Sequence, residues 1–456
     1  MLFSETLPSH EAGAAAGWIG HLADRFRSRR ARVAVIGLGY AGLPMALALA
    51  EAGFATIGID ADRARLARLA AGETGLRHVP DPTLRAAQRA GRFEATGDWS
   101  RLVEVDAILI CVPTPLGPDG TPDLAAVRAA SRSVAWHLHP GQLVVLESTT
   151  WPGTTREVVR PILEATGLRC GVDFFLAYSP EREDPGNARF RTAGIPRVVG
   201  GADAAALHLA EALYGAAVER TVPVASLEAA EAVKLAENAF RAVNIALANE
   251  LKLAFGAMGI DVWEVVGAAA SKPFGYMPFW PGPGVGGHCI PVDPVYLTWR
   301  ARESGAQARL LELAGAINAA MPAHVVDVLE GALRCRGRRL AGSRILLLGA
   351  AYKPDIEDVR ESPALALMAL IEARGAEAPY HDPHVAELPP MPGHPGLAGR
   401  RSLPWAEALA GCDAAVIVTD HDGLDYAGLC AAAPLVLDTR NACARRGLAG
   451  PNIVAA

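Results

Sequence analysis

The sequence lacks paired cysteines, long apolar runs and an excess of one charge. Its seven cysteines stand singly along 456 residues, without a CxxC spacing. This spacing argues against a disulfide framework or a structural zinc site and favours a reducing, cytoplasmic compartment. No run of about 18 apolar residues occurs and no basic start leads into an apolar stretch, so we expect neither a membrane span nor a signal peptide. The formal net charge of −6, with both signs interspersed, leaves no footprint for nucleic acid.

The chain does have enough apolar material for a large core. Apolar residues make up 51% of the sequence and charged residues 20%, so disorder is not expected. The length corresponds to about two to three domains. Residues 1–30 predict a short N-terminal extension with a helix around Ala14–Phe26.

The first organised segment is a glycine turn between a strand and a helix. Val33–Ile36 is a continuous apolar strand, Gly37, Gly39 and Gly42 form a GxGxxG motif, and Leu43–Ala52 continues as an apolar helix. A dinucleotide-binding turn requires this context, because the glycines allow a tight turn and the close approach of a pyrophosphate to the helix N-terminus. We therefore assign the three glycines to cofactor binding, with a tight turn that binds no cofactor as the alternative.

Tyr40 and Ala41, between these glycines, complete the candidate cofactor site together with Asp60. Asp60 ends the next predicted strand, where a carboxylate accepts hydrogen bonds from the adenosine ribose and repels a 2′-phosphate. The sequence therefore favours NAD over NADP. Arg63 and Arg65 follow closely and leave NADP as an alternative.

Strands and helices continue to alternate through the N-terminal half, which predicts an α/β fold with a doubly wound parallel sheet. One helix is expected to start near Asp123, whose side chain suits an N-cap, and to run to about His137. The further predicted strands are Ala55–Ile59, Asp106–Val112, Leu143–Leu146 and Phe175–Ser179.

Polar side chains follow three of these strands. Thr114, Thr149 and Glu181 each stand just beyond a strand end. Because ligands bind at the carboxyl ends of the strands in such sheets, all three are candidate site residues. For each threonine the alternative is a residue that merely ends a strand, and for Glu181 it is one member of a solvated charge cluster.

The segment from Ser226 to Met258 predicts one long helix. It contains no proline and one interior glycine, and Ser226 suits its N-cap. A helix this long often spans two domains or packs against its copy in another subunit. Lys234 and Asn238 are four residues apart and share a face, where a cation and an amide can stabilise a developing oxyanion. An ordinary polar stripe on a surface helix is the alternative.

A glycine- and proline-rich stretch from Pro281 to Leu297 surrounds a single cysteine, Cys289. Glycines before it let the backbone approach a ligand closely, and prolines after it predict a rigid loop. Asp293 stands four residues beyond the sulfur. A thiol in such a loop has the setting of a nucleophile, whereas a glycine-rich turn with a buried, inert cysteine is the alternative.

A second series of strands and helices begins at Arg344–Gly349. Ser362 and Pro363 suit the N-cap and first position of a helix that runs to about Arg374. Later strands are predicted at Val416–Thr419 and Leu435–Leu437. No second GxGxxG occurs, so a second dinucleotide is not implied. Arg440 follows the last strand, where it either reaches a diphosphate or forms a surface ion pair.

Six motifs occur in an order that resembles the UDP-glucose/GDP-mannose dehydrogenase family. They are GLGYAGLP, EST, YSPERE, KLAEN, GPGVGGHCIPVD and AYKPDIEDVRESP, and they cover nearly the whole chain from about Arg32 onward. The resemblance implies two Rossmann-like domains joined by a long central helix. These are an NAD-binding domain at 31–225, a central helical dimerisation domain at 226–330 and a UDP-sugar-binding domain at 331–456. A homodimer or higher homo-oligomer is implied as well.

The resemblance also implies a role for each candidate residue. Cys289 matches the catalytic thiol of the family, and its supporting catalytic residues are matched by Asp293, Lys234, Asn238, Glu181 and Thr149. Lys234 and Asn238 are expected to bind the UDP-sugar too, together with Gly286 and Lys353. Arg360 is expected near the cofactor.

The implied reaction is an NAD-dependent, four-electron oxidation of a UDP-sugar C6 hydroxyl through a thiohemiacetal and a thioester, for surface polysaccharide precursors. GGHCIPVDP, with His288 and Val292, and SPEREDPGN are similar to the branch acting on UDP-N-acetylhexosamines. N-acetylglucosamine is the expected sugar. The alternatives are the N-acetylmannosamine epimer, UDP-glucose, a two-electron hydroxyacid dehydrogenase and a non-enzymatic nucleotide-sugar sensor.

Overall fold

The computed structural model describes residues 9–182, 192–287, 289–391 and 393–456. The chain forms two compact units, Met1–Glu237 and Asn238–Ala456, and the division falls within one long helix. Each unit is built on its own β-sheet. Among the described residues, no helix combines the length and the hydropathy needed to cross a membrane.

The first unit alternates strands with helices. Its strands are β1 (Arg32–Ile36), β2 (Ala55–Ile59), β3 (Phe93–Thr96), β4 (Ala107–Ile110), β5 (Leu143–Leu146), β6 (Phe175–Tyr178), β7 (Arg197–Gly201) and β8 (Thr221–Val224). Its helices are α1 (Ser9–Arg27), α2 (Gly42–Glu51), α3 (Arg63–Ala70), α4 (Asp81–Arg89), α5 (Ala125–His137), α6 (Arg160–Glu164), α7 (Ala204–Tyr214) and the first part of α8 (Leu227–Ala257).

The sheet of the first unit has the strand order β3-β2-β1-β4-β5-β6-β7-β8. The first six strands are parallel and follow the order of a dinucleotide-binding Rossmann sheet. Strands β4, β5 and β6 are buried along their whole length, which explains their continuous apolar sequences. β7 pairs antiparallel with β6, so it begins at the edge where the parallel strands end.

The second unit contains a smaller sheet. Its strands are β9 (Ile345–Leu348), β10 (Tyr380–His381), β11 (Ala414–Ile417), β12 (Val436–Asp438) and β13 (Ile453–Ala455). Beyond α8, its helices are α9 (Val262–Ala269), α10 (Cys289–Glu303), α11 (Arg309–Arg334), α12 (Pro363–Ala373), α13 (Trp405–Leu409) and α14 (Tyr426–Ala432). The five strands are parallel in the order β10-β9-β11-β12-β13, a doubly wound arrangement whose crevice lies between β9 and β11.

The two Rossmann-like sheets and the long helix confirm the predicted α/β fold class. Ser226 accepts a hydrogen bond from the Ala229 N–H at 3.0 Å, so it caps α8 as expected. Ser362 likewise caps α12, whose first residue is a proline. The predicted N-cap Asp123 is wrong, because α5 begins at Ala125 and the Asp123 carboxylate accepts from that residue's N–H instead.

The stretch around Cys289 differs from the predicted loop. Helix α10 begins at Cys289, so only the glycine-rich half of the stretch is a loop. Pro291 lies in the first helical turn, where an N–H has no partner within the helix and its loss costs nothing. Pro294 is accommodated inside the helix. The loop predicted from these prolines is therefore wrong, because prolines this close to a helix start are compatible with the helix.

Candidate active site

The turn after β1 has the geometry that a dinucleotide phosphate requires. Gly37 has a φ of +90°, and an added Cβ would lie 2.5 Å from the carbonyl oxygen of Cys111. A Cβ on Gly42 would lie 1.8 Å from the carbonyl oxygen of Gly37, so both positions need glycine. A Cβ on Gly39 would meet no atom within 4 Å, which leaves open space over this residue. The residues therefore fit a dinucleotide whose pyrophosphate lies over Gly39 at the start of α2.

The carboxylate of Asp60 is folded back onto this turn. It accepts hydrogen bonds from the N–H groups of Leu38 at 2.7 Å and Asp62 at 2.8 Å, and it is 7% exposed. Arg65 donates to the same carboxylate at 2.8 Å. Arg65, one of the two arginines that left NADP as an alternative, is thus paired with Asp60, and a 2′-phosphate would meet a buried carboxylate.

The other predicted cofactor residues of this unit lie around the turn. Tyr40 stacks on His78 with ring centroids 5.4 Å apart. Ala41 precedes α2 and has no side chain that could cap the helix. The first N–H groups of α2 therefore need other hydrogen-bond acceptors. Thr114 is buried just after β4.

Glu181 and Lys234 form a pair in the first unit. The Lys234 Nζ lies 3.4 Å from Glu181 Oε2, and the two side chains are 6% and 16% exposed. Beside them, Arg182 and Glu237 form a second ion pair at 2.5 Å. The structure thus brings together two predicted catalytic residues that are 53 positions apart in sequence. Residues 183–191, which complete the charged cluster, lie outside the described residues.

Thr149 stands three residues beyond β5, in a segment that α8 anchors. The buried Glu231 accepts hydrogen bonds from the Gly153 N–H at 2.5 Å, the Thr155 N–H at 2.8 Å and the Thr155 hydroxyl at 2.6 Å. Burial raises the pKa of Glu231 to about 7 against the opposing effect of these donors. The motifs do not reveal this anchor, because an acidic residue near the start of a helix is already explained by the helix dipole.

The second unit brings together Asn238, Cys289 and Asp293. Cys289 is half-buried at the start of α10, and Asp293 follows one turn later on the same face. Asn238 Nδ2 donates to Asp293 Oδ2 at 2.6 Å, and both side chains are buried. The thiol thus stands at a helix N-terminus, a position at which reactive cysteines are found. The arrangement suits a nucleophilic sulfur beside a carboxylate and an amide.

Packing within the second unit explains the glycines before Cys289. A Cβ on Gly286 would lie 2.6 Å from the Cβ of Tyr352, and one on Gly287, at a φ of +81°, would lie 2.9 Å from the same tyrosine ring. A Cβ on Gly282 would lie 2.6 Å from the Arg440 guanidinium. The sequence interpretation, close approach of a ligand, is therefore incomplete, since these glycines also admit side chains of the protein itself.

Two buried asparagines hold this loop, and the sequence did not reveal them. Asn249 Oδ1 accepts from the Gly282 N–H at 2.9 Å, and its Nδ2 donates to Asn318 Oδ1 at 2.9 Å. Asn318 in turn donates to the Ala242 carbonyl at 3.1 Å. The amide groups thereby tie α8, α11 and the glycine loop together. Position on a helix was the available signal, and it does not distinguish a buried asparagine from an exposed one.

Lys353 and Arg360 lie in the segment that follows β9. Arg360 donates to the Asp358 carboxylate from Nε at 2.9 Å and from its terminal nitrogen at 2.6 Å. Asp382 anchors the start of the segment by accepting two backbone N–H groups, and its carboxylate also contacts His421 at 3.0 Å. Burial alone would raise the pKa of Asp382, but His421 and the backbone donors lower it, so the carboxylate is charged.

Arg440 is not the surface ion pair that one interpretation of the sequence expected. Its Nε donates to the carbonyl oxygen of Val418 at 2.8 Å, and burial lowers the pKa of its guanidinium. His288, the other residue used to distinguish substrates, lies outside the described residues. Val292 is buried in α10.

The Rossmann sheet, its open glycine turn and the carboxylate after β2 define a dinucleotide-dependent oxidoreductase. The chain matches the UDP-glucose/GDP-mannose dehydrogenase family in three regions. These are its NAD binding domain at residues 31–218, its central domain at 228–320 and its UDP binding domain at 346–445. The chain belongs to this family and is an NAD-dependent oxidoreductase, which confirms the resemblance and the cofactor inferred from the motifs.

Named relatives resemble the chain over most of its length. The UDP-N-acetyl-D-mannosamine dehydrogenase of Pyrococcus horikoshii is 37% identical over 86% of this chain and 89% of its own. The UDP-N-acetyl-D-glucosamine 6-dehydrogenase of Pseudomonas aeruginosa is 36% identical over 78% of this chain and 83% of its own. The solved structure of the P. horikoshii mannosamine enzyme aligns with a TM-score of 0.83 at 34% identity, covering 93% of this chain and 98% of that one.

Proposed function

We propose that this protein oxidises the C6 hydroxyl of a UDP-N-acetylhexosamine, with UDP-N-acetylglucosamine as the substrate, to the uronic acid with two NAD per turnover. The observation that carries the proposal is the position of Cys289, at the start of α10 and on the same face as Asp293, which binds Asn238. A two-electron dehydrogenase needs no thiol. A four-electron oxidation needs a nucleophile that holds the aldehyde between its two hydride transfers.

The first half of the proposed reaction makes and captures an aldehyde. Asp293 or Lys234 removes the C6 hydroxyl proton, directly or through water. NAD, when bound, supplies the hydride acceptor for both oxidation steps. Cys289 adds to the aldehyde carbon, and Lys234 and Asn238 stabilise the oxyanion of the resulting thiohemiacetal. The second oxidation converts this adduct into a thioester on the same sulfur.

The second half hydrolyses the thioester. Thr149 orders a water molecule and Glu181 accepts its proton as it attacks the thioester carbon. The carbon–sulfur bond breaks, the Cys289 thiolate leaves and the uronic acid is released. The Lys234 Nζ lies 3.4 Å from Glu181 Oε2, a contact that holds this carboxylate in place for the step.

Further assignments belong to the same proposal. Gly286 and Lys353 bind the UDP-sugar, and Arg360 serves the cofactor side. The functional domains are 31–225, 226–330 and 331–456, and the three matched family regions, each of which falls inside one of them, support this division. All seven cysteines lie among the described residues and are free thiols. This supports a cytoplasmic location, since thiols stay reduced there.

A second candidate substrate is the C2 epimer, UDP-N-acetylmannosamine. Relatives named as mannosamine dehydrogenases, among them those of P. horikoshii and Escherichia coli, are each 37% identical to this chain, against 36% for the glucosamine enzyme. So small a difference in identity does not separate the epimers, which differ in the orientation of one N-acetyl group.

Purified protein is expected to form two NADH per UDP-N-acetylglucosamine. We expect kcat/KM for this sugar to exceed that for the mannosamine epimer and for UDP-glucose by about tenfold or more, because a misplaced substituent leaves polar groups of the site unpaired. NADH absorbance and chromatography of the acid measure both quantities. Faster turnover of the mannosamine epimer would select the second candidate, and one NADH per sugar would exclude the four-electron reaction.

We also propose that two copies associate through the second unit. Among the described residues of this unit, the large exposed apolar side chains all fall between residues 240 and 313. They are Phe240, Leu247, Leu253, Met258, Ile260, Phe274, Tyr276, Met277, Trp280, Leu310 and Leu313. Such a concentration is typical of a surface that a partner covers. Phe240 and Leu247 are seven residues apart on α8 and share one face, which favours pairing with the same helix of a second copy.

Leu247→Glu is expected to dissociate the proposed dimer, since a buried, unpaired carboxylate at an interface raises the dissociation constant by about 10²-fold. Light scattering after gel filtration measures the mass. Val103→Glu is the matched control, because Val103 is 55% exposed and Leu247 50%, but Val103 lies in the first unit. A wild-type protein of monomeric mass, or a Leu247→Glu variant of unchanged dimeric mass, would contradict this surface.

A further inference from the structure

Arg197, which belongs to none of the six motifs, is the first residue of β7 and is 4% exposed. β7 runs antiparallel to β6, with Tyr178 opposite Gly200. The first residue of β7 therefore lies beyond the last residue of β6, where the parallel strands end. The reversed strand thus delivers a buried guanidinium to the segments that follow β5 and β6.

The guanidinium of Arg197 contacts both of these segments. One terminal nitrogen forms an ion pair with Glu147, which directly follows β5. Its Nε donates to the hydroxyl of Ser179, directly after β6, at 3.0 Å. Glu147 stands two residues before Thr149, and Ser179 stands two residues before Glu181. One rigid, planar group therefore links the two segments that lead to Thr149 and Glu181, the residues assigned to thioester hydrolysis.

Two further side chains contact Glu147 and hold it in place. Tyr214 donates its hydroxyl to Glu147 Oε1, and the Cys111 thiol lies 3.4 Å from Oε2. Burial, reinforced by the charge of Glu147, raises the pKa of both Tyr214 and Cys111 well above the usual range, so both remain protonated donors. A buried network of this kind restricts the arrangements that its members can adopt.

We propose that Arg197 is a positioning residue for hydrolysis of the Cys289 thioester. Through Glu147 and Ser179 it sets the distance between Thr149, which orders the water, and Glu181, which accepts the proton of that water. Arg197 itself touches none of the reacting atoms. This inference rests on the proposed function and adds to it a residue that acts on the second half of the reaction only.

A purely structural ion pair is the competing explanation. Loss of such a pair destabilises the protein and lowers every step of turnover alike, because fewer molecules are folded. Loss of a positioning contact slows one step in the molecules that remain folded. The two explanations therefore differ in the ratio of thioester formation to thioester hydrolysis.

The experiment compares wild type with Arg197→Met and Arg197→Lys, using NAD and the UDP-N-acetylhexosamine that wild type oxidises. Stopped-flow absorbance measures the NADH burst per folded active site, and mass spectrometry of acid-quenched protein measures the thioester. We expect Arg197→Met to keep a burst of two NADH and to hydrolyse the thioester about 10- to 100-fold more slowly, as for a misplacement of about 1 Å. Arg197→Lys should be affected less, because its ammonium keeps the charge but reaches one partner only.

Ser179→Ala provides a milder variant in case Arg197→Met does not fold. It removes one of the two contacts and is expected to slow hydrolysis in the same direction. Leu209→Ala is the control, since Leu209 is fully buried in α7 and its truncation lowers stability through packing alone.

The inference is overturned if burst and steady-state rates fall together in the folded Arg197 and Ser179 variants. It is also overturned if Leu209→Ala accumulates thioester to the same extent. A wild-type enzyme that releases no acid would instead remove the proposed function, and this inference with it.

Discussion

Replacing Cys289 by alanine is expected to lower the rate of acid formation by about 10³-fold or more, as loss of a nucleophile does in other covalent mechanisms. The thiol is half-buried at the start of α10, one turn before Asp293. Without the sulfur, the aldehyde has no covalent attachment and is lost or stops at the first oxidation. Steady-state NADH release and chromatography of the acid measure the effect.

Cys289→Ser distinguishes the covalent step from a packing effect. A serine hydroxyl can form the corresponding ester, which resists hydrolysis more than a thioester does, so we expect a trapped adduct in the intact-protein mass spectrum. Cys335→Ser is the matched control, because Cys335 is an exposed thiol of the same unit. Near-normal acid formation by both Cys289 variants would refute the proposed chemistry.

Glu181→Gln is expected to slow thioester hydrolysis by about 10²- to 10⁴-fold, because an amide cannot accept the proton of the attacking water. Glutamine keeps the size of the side chain, so the Lys234 ammonium can still donate a hydrogen bond, now to the amide oxygen. The expected course is a burst of two NADH per active site, followed by a slow steady state with the acyl group on Cys289. Stopped-flow absorbance and acid-quench mass spectrometry record these two signals.

Glu237→Gln is the matched control for this variant. Glu237 lies in α8 and is paired with Arg182, the residue next to Glu181, at 2.5 Å, and it is likewise a partly buried carboxylate. Its loss removes one ion pair of the same region and leaves the Glu181 carboxylate in place. If Glu181→Gln released acid at the wild-type rate, a different base would have to activate the water.

The strands that the sequence predicted best are those whose pattern is local. Leu143–Leu146 and Ala55–Ile59 have the predicted bounds, because a short apolar run between turn residues is typical of a strand in the middle of a parallel sheet. The long helix was recognised for a similar reason, as it differs from the predicted Ser226–Met258 by a single residue at each end. The start of α10 was missed, because proline was taken to exclude a helix that in fact tolerates it in the first turn.

The candidate site residues were predictable where a motif can be checked against the strand and helix that flank it. The glycine turn and Asp60 needed only the surrounding strand, helix and spacing. The roles of Cys289 and Glu181, by contrast, came from the order of six motifs, since neither a lone cysteine nor a lone glutamate distinguishes a catalytic group from a core or surface residue. The supporting network of Arg197, Asn249 and Asn318 belonged to no motif.

The sequence by itself determined the α/β class, the cofactor turn and the long helix, because each depends on residues that are close together along the chain. Only the tertiary structure decided that β7 runs antiparallel to β6 and that Asn238 meets Asp293, 55 residues away. The apolar pattern of a strand is the same in either direction, and a buried amide resembles an exposed one in sequence. The direction of β7 and the partners of buried polar groups follow from the packing of distant segments, where a polar group that lost its hydrogen bond would carry the full cost of leaving water.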